Sequence, residues 1–500
     1  MSSSFDSWVE ATKASLPNFI NGAFTASVSG QVLDNFHPAS GRVYGTLADS
    51  DGADIDLAVS AARAAFATWS KTPAQARAAL LYRIADLIEA RLDAFARAES
   101  FDQGKTVGSA TRVDIPRAVH NFRFFAGAVL HHEDACTQLS DSVLSYSISQ
   151  PVGVAGLISP WNLPLYLLTW KIAPALACGN TVVAKPSEFT SLTAVMLCEV
   201  MREAGLPPGV VNVVLGTGAR AGAALVRHPH VPLISFTGGT ATAKHIMHDA
   251  VDNFKKLSLE LGGKNPNIIF DDADLDDVLA KTQLSSFSNQ GEICLCGSRI
   301  FVQRGVYDEF VRRFVEQTRS LLVGDPNSPH SFMGALASAQ HRDKIVYYVN
   351  LAREEGGTIA FGGGVPQVPA ELAGGYWHEP TIITGLSTTS RTQQEEIFGP
   401  VVTVTPFDTE EEVIGYANNI KYGLSATIWT QNVSRAHRVA RQVEAGTVWV
   451  NCWLVRDLRM PFGGMKQSGI GREGGKHSID FFTEQKTVCI AIAPTPSATK

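Results

Sequence analysis

Between residues 143 and 261 short β-rich runs, SISQPVGVAGLIS, TVVAK, VVNVVL, LISF and KLSLEL, alternate with segments of helical spacing such as SLTAVMLCEVMREAG. That rhythm predicts a parallel sheet covered by helices on both faces. A second series follows, with NIIF, RIFVQ, GTIAF, ATIWT and TVWVN as strands and VYDEFVRRFVEQTRSLL and SRAHRVARQVEAG as helices. The expected fold class is α/β, with two open α/β domains. Their joint falls in ELGGKNPN, where Gly262 and Gly263 break a strand and Pro266 limits what can continue. Residues 56 to 126, rich in Ala, Leu and Arg, read as mostly helical. The stretch around 128 to 150 and the tail after about 484 read as extra strands with no place in either sheet, and are expected to pair with another subunit.

Composition changes this picture little. A chain of 500 residues, 45% hydrophobic and 18% charged, buries a sizeable core and suits two or three domains. A net charge of -6 without long like-sign runs argues against nucleic acid and anionic membrane surfaces as partners. The start, MSSSFDSWVEATKASLPNF, carries Asp6 and Glu10 and lacks the apolar core of a secretory signal. The apolar stretch LPLYLLTW runs into Lys171 and is too short to span a bilayer. Seven cysteines, an odd number scattered along the chain, do not form a disulfide pattern, so a reducing cytoplasm is expected.

The candidate chemistry begins with NQGEICLCGSR, which holds Cys294 and Cys296 between Gly291 and Gly297. A cysteine alone is most often a small buried hydrophobe. CxC spacing also raises a metal site, but no further Cys or His ligand lies at finger-like spacing, and no metal is expected. A nucleophile is favoured by the company elsewhere: a carboxylate in LELGG, an amide in SPWN, and a lysine and glutamate in AKPSE. On the residues alone, Glu260 reads equally as a strand-end carboxylate satisfied by nearby amides. GTGARAG at 216 to 222 approaches a dinucleotide fingerprint but is one residue too long, and a tight βα turn explains it as well.

Six ordered motifs, ISPWNLPLYLLTWKIAPALACGNTVVAKPSE, ISFTGGTATAK, LSLELGGKNPNIIF, NQGEICLCGSR, EEIFGP and PFGGMKQSGIGREGG, together resemble the aldehyde dehydrogenase superfamily from about residue 18 to 489. The resemblance implies a nucleotide-binding domain (residues 1–128 and 151–261), a catalytic domain (262–465) and a small β-stranded oligomerisation element (129–150 and 484–500), assembled as a homodimer or homotetramer. It implies oxidation of an aldehyde to a carboxylate with NAD. Carried over residue by residue, Cys294 is the nucleophile, Asn162 the oxyanion donor and Glu260 the base that activates water, with Glu292 a reserve candidate. Lys185, Ser187 and Glu188 would lie near the adenine ribose, where a carboxylate favours NAD over NADP. Pro160, Trp161, Gly218, Gly222, Phe236, Gly239 and Leu261 would line the rest of the cofactor cleft, and Glu396 and Phe398 would hold the nicotinamide ribose. Gly239 stands where many relatives place serine, which puts one phosphate hydrogen bond in doubt while backbone amides at a helix N-terminus remain.

Two arginine groups make the sequence individual: Arg456 and Arg459 in NCWLVRDLRMPFGG, and Arg112, Arg117 and Arg123 in TRVDIPRAVHNFRFF. Both segments border the aldehyde tunnel in the resemblance, and within the superfamily they look most like the semialdehyde dehydrogenases of aromatic ring cleavage. Guanidinium forks pair bidentately with carboxylates. The resemblance implies that Arg112 and Arg456 are the pair that holds the acid group of a small, conjugated substrate that carries both a carboxylate and an aldehyde, whose amino and hydroxy forms the sequence does not separate. Ion pairs with Asp114 and Asp457 are the alternative for these arginines. Leu163, Trp170 and Trp453 are expected as walls. A reading of another class, cysteine-dependent ester hydrolysis, needs only Cys294 and Glu260.

Overall fold

The computed structural model describes residues 2–492. Residues 493–500, part of the expected oligomerisation element, lie outside the described residues. Two large sheets organise the chain. The first has eight strands in the order Gly469–Ile470, Lys256–Glu260, Leu233–Thr237, Val154–Ile158, Thr181–Lys185, Val211–Val213, Asn18–Ile20 and Ala23–Thr25. The five strands from Lys256–Glu260 to Val211–Val213 run parallel, and Val154–Ile158 and Thr181–Lys185 are buried along their whole length, as strands with helices on both faces must be. Antiparallel edges, Gly469–Ile470 on one side and Asn18–Ile20 on the other, make the sheet mixed where the pattern predicts a parallel one.

The second sheet has seven strands, in the order Thr358–Phe361, Thr381–Thr384, Val401–Phe407, Arg299–Gln303, Pro266–Ile269, Ser425–Trp429 and Thr447–Val450, of which only the first pairs antiparallel. The chain passes from the first sheet to the second through Leu261–Asn265. The run SISQPVGVAGLIS does not form one strand. Gly153, at φ +138°, divides it: Val143–Pro151 joins a separate three-stranded sheet with Cys136–Ser140 and Thr483–Ala491, while Val154–Ile158 enters the core. Among the described residues no helix is long and apolar enough to cross a membrane.

Register places the chemistry. Thr237 pairs with Glu260 at the C-terminal ends of adjacent parallel strands, and ligands of open α/β sheets bind beyond those ends. Two short π-helical turns, Ala110–Asp114 and Gly218–Gly222, sit in segments that carry predicted site residues. Such bulges recur at functional sites because they redirect side chains out of helical register.

Candidate active site

Cys294 is delivered by a strained loop. The helix Leu275–Phe287, capped by the Asp274 carboxylate, gives way to a turn in which Asn289, Gln290 and Gly291 take φ values of +50°, +57° and +70°. Left-handed backbone is unfavourable for a glutamine and persists only where surroundings fix it. Here Asn289 Nδ2 donates to the Asn162 carbonyl at 3.0 Å, and Asn265 Nδ2 donates to the carbonyls of Cys294 and Cys296 at 2.7 and 2.8 Å. At Gly291 a Cβ would meet the Gly399 carbonyl oxygen at 2.3 Å, so only glycine fits. The loop leaves Cys294 bordering two cavities, of about 360 and about 180 Å³, and buries Cys296.

Glu260 is the one carboxylate that lines both cavities. Its Oε1 has no hydrogen-bond partner and sits where a Cβ on Gly463 would come within 2.8 Å. Burial and the nearby Glu473 raise the Glu260 carboxyl well above its ordinary range, against the opposing charges of Lys171 and Arg456. Burial, with Glu260 and Glu396 next, pushes the Cys294 thiol up to about 12. The Cys294 thiol therefore holds its proton at neutral pH. Lys171 Nζ lies 3.1 Å from Glu473 Oε1, and the Trp170 indole N–H donates to Glu473 Oε2 at 2.6 Å, which fixes a buried ion pair beside Glu260.

Glu292, the reserve base, faces away from the sulfur. Its carboxylate accepts from Gln103 Nε2 at 2.6 Å and from the Ala337 N–H at 3.2 Å, is fully buried and borders neither cavity. Adjacency in sequence misleads here because Gln103 and the Ala337 N–H, both far along the chain, hold the Glu292 carboxyl away from the two cavities. Asn162 lines the smaller cavity, and its Nδ2 donates to the Glu292 carbonyl at 2.8 Å, which fixes the amide plane and leaves the second N–H for another acceptor. Its own carbonyl takes hydrogen bonds from Lys105 Nζ and Asn289 Nδ2, and Lys105 is held by Asp114 at 2.7 Å. Asp114 thus pairs with a buried lysine and with no tunnel arginine.

The smaller cavity is the inner end of a cleft. Pro160, Trp161, Gly239, Leu261, Glu396 and Phe398 line it. The Trp161 ring packs against His341 and edge-on against Phe398, with centroids 4.8 and 5.4 Å apart, and His341 Nε2 lies 2.7 Å from the Phe398 carbonyl. Glu396 Oε1 accepts the Gly263 N–H at 3.0 Å, an approach open only because Gly262 lacks a side chain, since a Cβ there would meet Glu396 Oε2 at 2.1 Å. A further cavity of about 560 Å³ is bounded by Glu188, Gly218, Gly222 and Phe236. Glu188 Oε2 accepts from Lys185 Nζ at 2.8 Å. Burial works to raise that carboxyl, but the Lys185 charge and N–H donors outweigh it and hold Glu188 below the ordinary range. Ser187 is turned into its own loop, where its hydroxyl accepts the Phe189 N–H at 3.3 Å, and it does not border the cavity.

A dinucleotide fits this cleft. Gly218 and Gly239 have ordinary negative φ and would tolerate a Cβ, yet a Cβ at either would meet nothing within 4 Å, so the missing side chains leave open space and not backbone freedom. Gly239 is also the cap residue of the helix Thr240–Ala250, whose first N–H groups have no side-chain cap.

The larger cavity holds the arginines unequally. Arg112, Arg117 and Arg456 line it, and none has a carboxylate within ion-pair distance among the described residues. Arg123 is spent on Asp86 and Glu89 at the surface, and Arg459 on Asp457. Leu163, Tyr166, Leu167 and Trp170, spaced three and four apart on and just before the helix Pro164–Ala177, form one wall. Trp453 does not join them. Its indole N–H donates to the Leu295 carbonyl at 3.0 Å, and Leu454, at φ +61°, takes the place at the wall.

Residues 24–488 match the model of the Aldehyde dehydrogenase family. The chain belongs to the aldehyde dehydrogenase family. Among similar proteins, the 2-aminomuconic semialdehyde dehydrogenase of Danio rerio is 59% identical over 479 residues, 95% of this chain and 98% of that protein. The 2-hydroxymuconic semialdehyde dehydrogenase of Pseudomonas sp. strain CF600 is 50% identical over 483 residues, again 95% of this chain and 99% of its own. The NAD+ complex of an aldehyde dehydrogenase from Bacillus cereus superposes with a TM-score of 0.94 at 40% identity, covering 97% of this chain and 99% of that one.

This aldehyde dehydrogenase also contains site residues that motif reading passes over. Lys171 and Glu473 meet beside Glu260 although 302 positions separate them. The available signal was a lone lysine inside the apolar helix LPLYLLTWKIAPALA, since a charge in such a run must find a buried partner. Phe462 and Tyr166, which frame Arg456, carry no signal of their own.

Proposed function

We propose that this chain oxidises 2-aminomuconate 6-semialdehyde to 2-aminomuconate with NAD. One observation carries the substrate: two unpaired guanidinium groups, Arg112 and Arg456, face the same cavity as Cys294 and Glu260. A cavity of about 360 Å³ with apolar walls suits a flat, short conjugated chain, and a carboxylate at its far end would answer charges left unpaired by the protein. The 2-hydroxy analogue presents the same carboxylate and aldehyde, so it is the nearest competitor.

Cys294 gives up its proton to solvent and, as the thiolate, attacks the aldehyde carbon, whose C=O electron pair moves to oxygen to form a thiohemiacetal oxyanion. The free N–H of the Asn162 amide donates to that oxygen as charge develops. The Glu188 carboxylate, Glu396 and the open faces of Gly218 and Gly239 would hold the dinucleotide. A nicotinamide held there would supply the acceptor for the hydride of the former aldehyde carbon. The resulting thioester is hydrolysed when Glu260 takes a proton from water, whose oxygen displaces the Cys294 sulfur. Trp161 and Phe398 close the inner end of the cleft against solvent.

The chain assembles as a homo-oligomer through the sheet of Cys136–Ser140, Val143–Pro151 and Thr483–Ala491, because three strands with both faces largely exposed are marginal alone. Free thiols throughout suit a reducing cytoplasm. The test is steady-state formation of NADH with 2-aminomuconate semialdehyde, its 2-hydroxy analogue and hexanal, with NAD and NADP compared. A higher kcat/KM for the amino substrate with NAD is expected, and preference for hexanal would overturn the substrate assignment.

A further inference from the structure

Arg456 is held in a way that no ion pair explains. Its guanidinium carbon lies 3.7 Å from the Phe462 ring centroid and 5.8 Å from that of Trp170, and Nη1 lies 3.3 Å from the Tyr166 hydroxyl. The phenol oxygen is the only hydrogen-bond acceptor for this side chain among the described residues. Tyr166 serves a second cation as well, because the Arg117 guanidinium sits 5.3 Å above its ring. Trp170, the other wall, cannot follow a moving arginine, since its indole is tied to Glu473 at 2.6 Å. Tyr166 therefore contacts two of the three unpaired arginines of the cavity.

We infer that Tyr166 is a positioning residue for carboxylate selection: it fixes the orientation of Arg456 through its hydroxyl and that of Arg117 through its ring, so that the cavity meets a substrate acid group with a preset cationic rim. The inference rests on the substrate reading above. The physical reason is that a long arginine loses substantial rotamer freedom on gripping an anion, and a fixed phenol removes part of that loss beforehand. Guanidinium groups in one pocket also repel each other, and the Tyr166 ring face under Arg117 offsets part of that cost. A carboxylate that arrives adds charge-assisted hydrogen bonds without rearrangement.

The experiment compares wild type, Tyr166→Phe, Tyr166→Leu and Arg456→Ala on 2-hydroxymuconate semialdehyde and on hexanal, with melting temperature as a check on folding. Tyr166→Phe keeps the ring under Arg117 and removes only the acceptor. Its KM for the carboxylate-bearing aldehyde is expected to rise about tenfold relative to its KM for hexanal, with kcat changing less than about twofold. Tyr166→Leu removes both supports and should widen that gap further; should it fail to fold, the Phe variant alone decides. Equal changes on the two aldehydes, or none, in Tyr166→Phe while Arg456→Ala loses discrimination would overturn the role of Tyr166 and leave the substrate reading standing. No loss of discrimination in Arg456→Ala would overturn both.

Discussion

Cys294 rests as a thiol because it is buried among carboxylates, and its reactivity should report that directly. With the thiol near 12, the thiolate fraction below that value grows about tenfold per pH unit. The rate of inactivation by iodoacetamide is expected to climb with that slope across the neutral and mildly alkaline range. Arg456→Ala removes a charge that favours the thiolate and should slow the same reaction at fixed pH. Glu260→Gln separates the two halves of catalysis: a thioester should accumulate and be visible by mass spectrometry, while turnover falls by roughly two to four orders of magnitude. Ester cleavage without NAD, possible for any activated Cys294, should fall with it. Glu292→Gln should leave turnover largely intact and act on stability instead. Burial raises the Glu292 carboxyl from 4.5 to about 8, so the folded state retains its proton longer than the unfolded chain. The stability this contributes is complete below about pH 4.5 and is lost as pH rises toward about 8. The permanently neutral glutamine should flatten that fall, seen as a melting-temperature difference that moves in favour of the variant between those limits.

At the scale of elements, the helix Thr240–Ala250 starts on Gly239 with no side-chain cap and with empty space where a Cβ would stand. Gly239→Ser should therefore be accommodated, stabilise the protein by a few tenths of a kcal/mol, and lower KM for NAD by adding a hydroxyl to the cleft. A raised KM would show that the space is needed empty. This position was legible from the sequence as a departure within FTGGT, and the helix after it was legible from its spacing. The π-helical turn Ala110–Asp114 was not. Nothing in TRVD separates a five-residue bulge from an ordinary turn, yet the bulge sends Arg112 to the cavity and Asp114 to buried Lys105. The arginines show the same division: the pairing of Arg459 with nearby Asp457 could be read as an alternative, but the commitment of Arg123 to Asp86 and Glu89, 37 and 34 positions away, could not.

For the whole molecule, the alternating strands of both large sheets follow the sequence pattern because strands buried on both faces leave continuous apolar runs. The edges escaped it. Asn18–Ile20 and Gly469–Ile470 are too short to carry a periodicity, and their places depend on long-range pairing. The three-stranded sheet exposes Leu139 and Ile490, and charged substitutions at both are expected to shift the protein toward monomer in light-scattering measurements. Cys294 and Glu260 border both chambers, the one that carries Arg112 and Arg456 and the one that carries Glu396 and Phe398. A group attached to that sulfur therefore stands at the edge of both spaces at once.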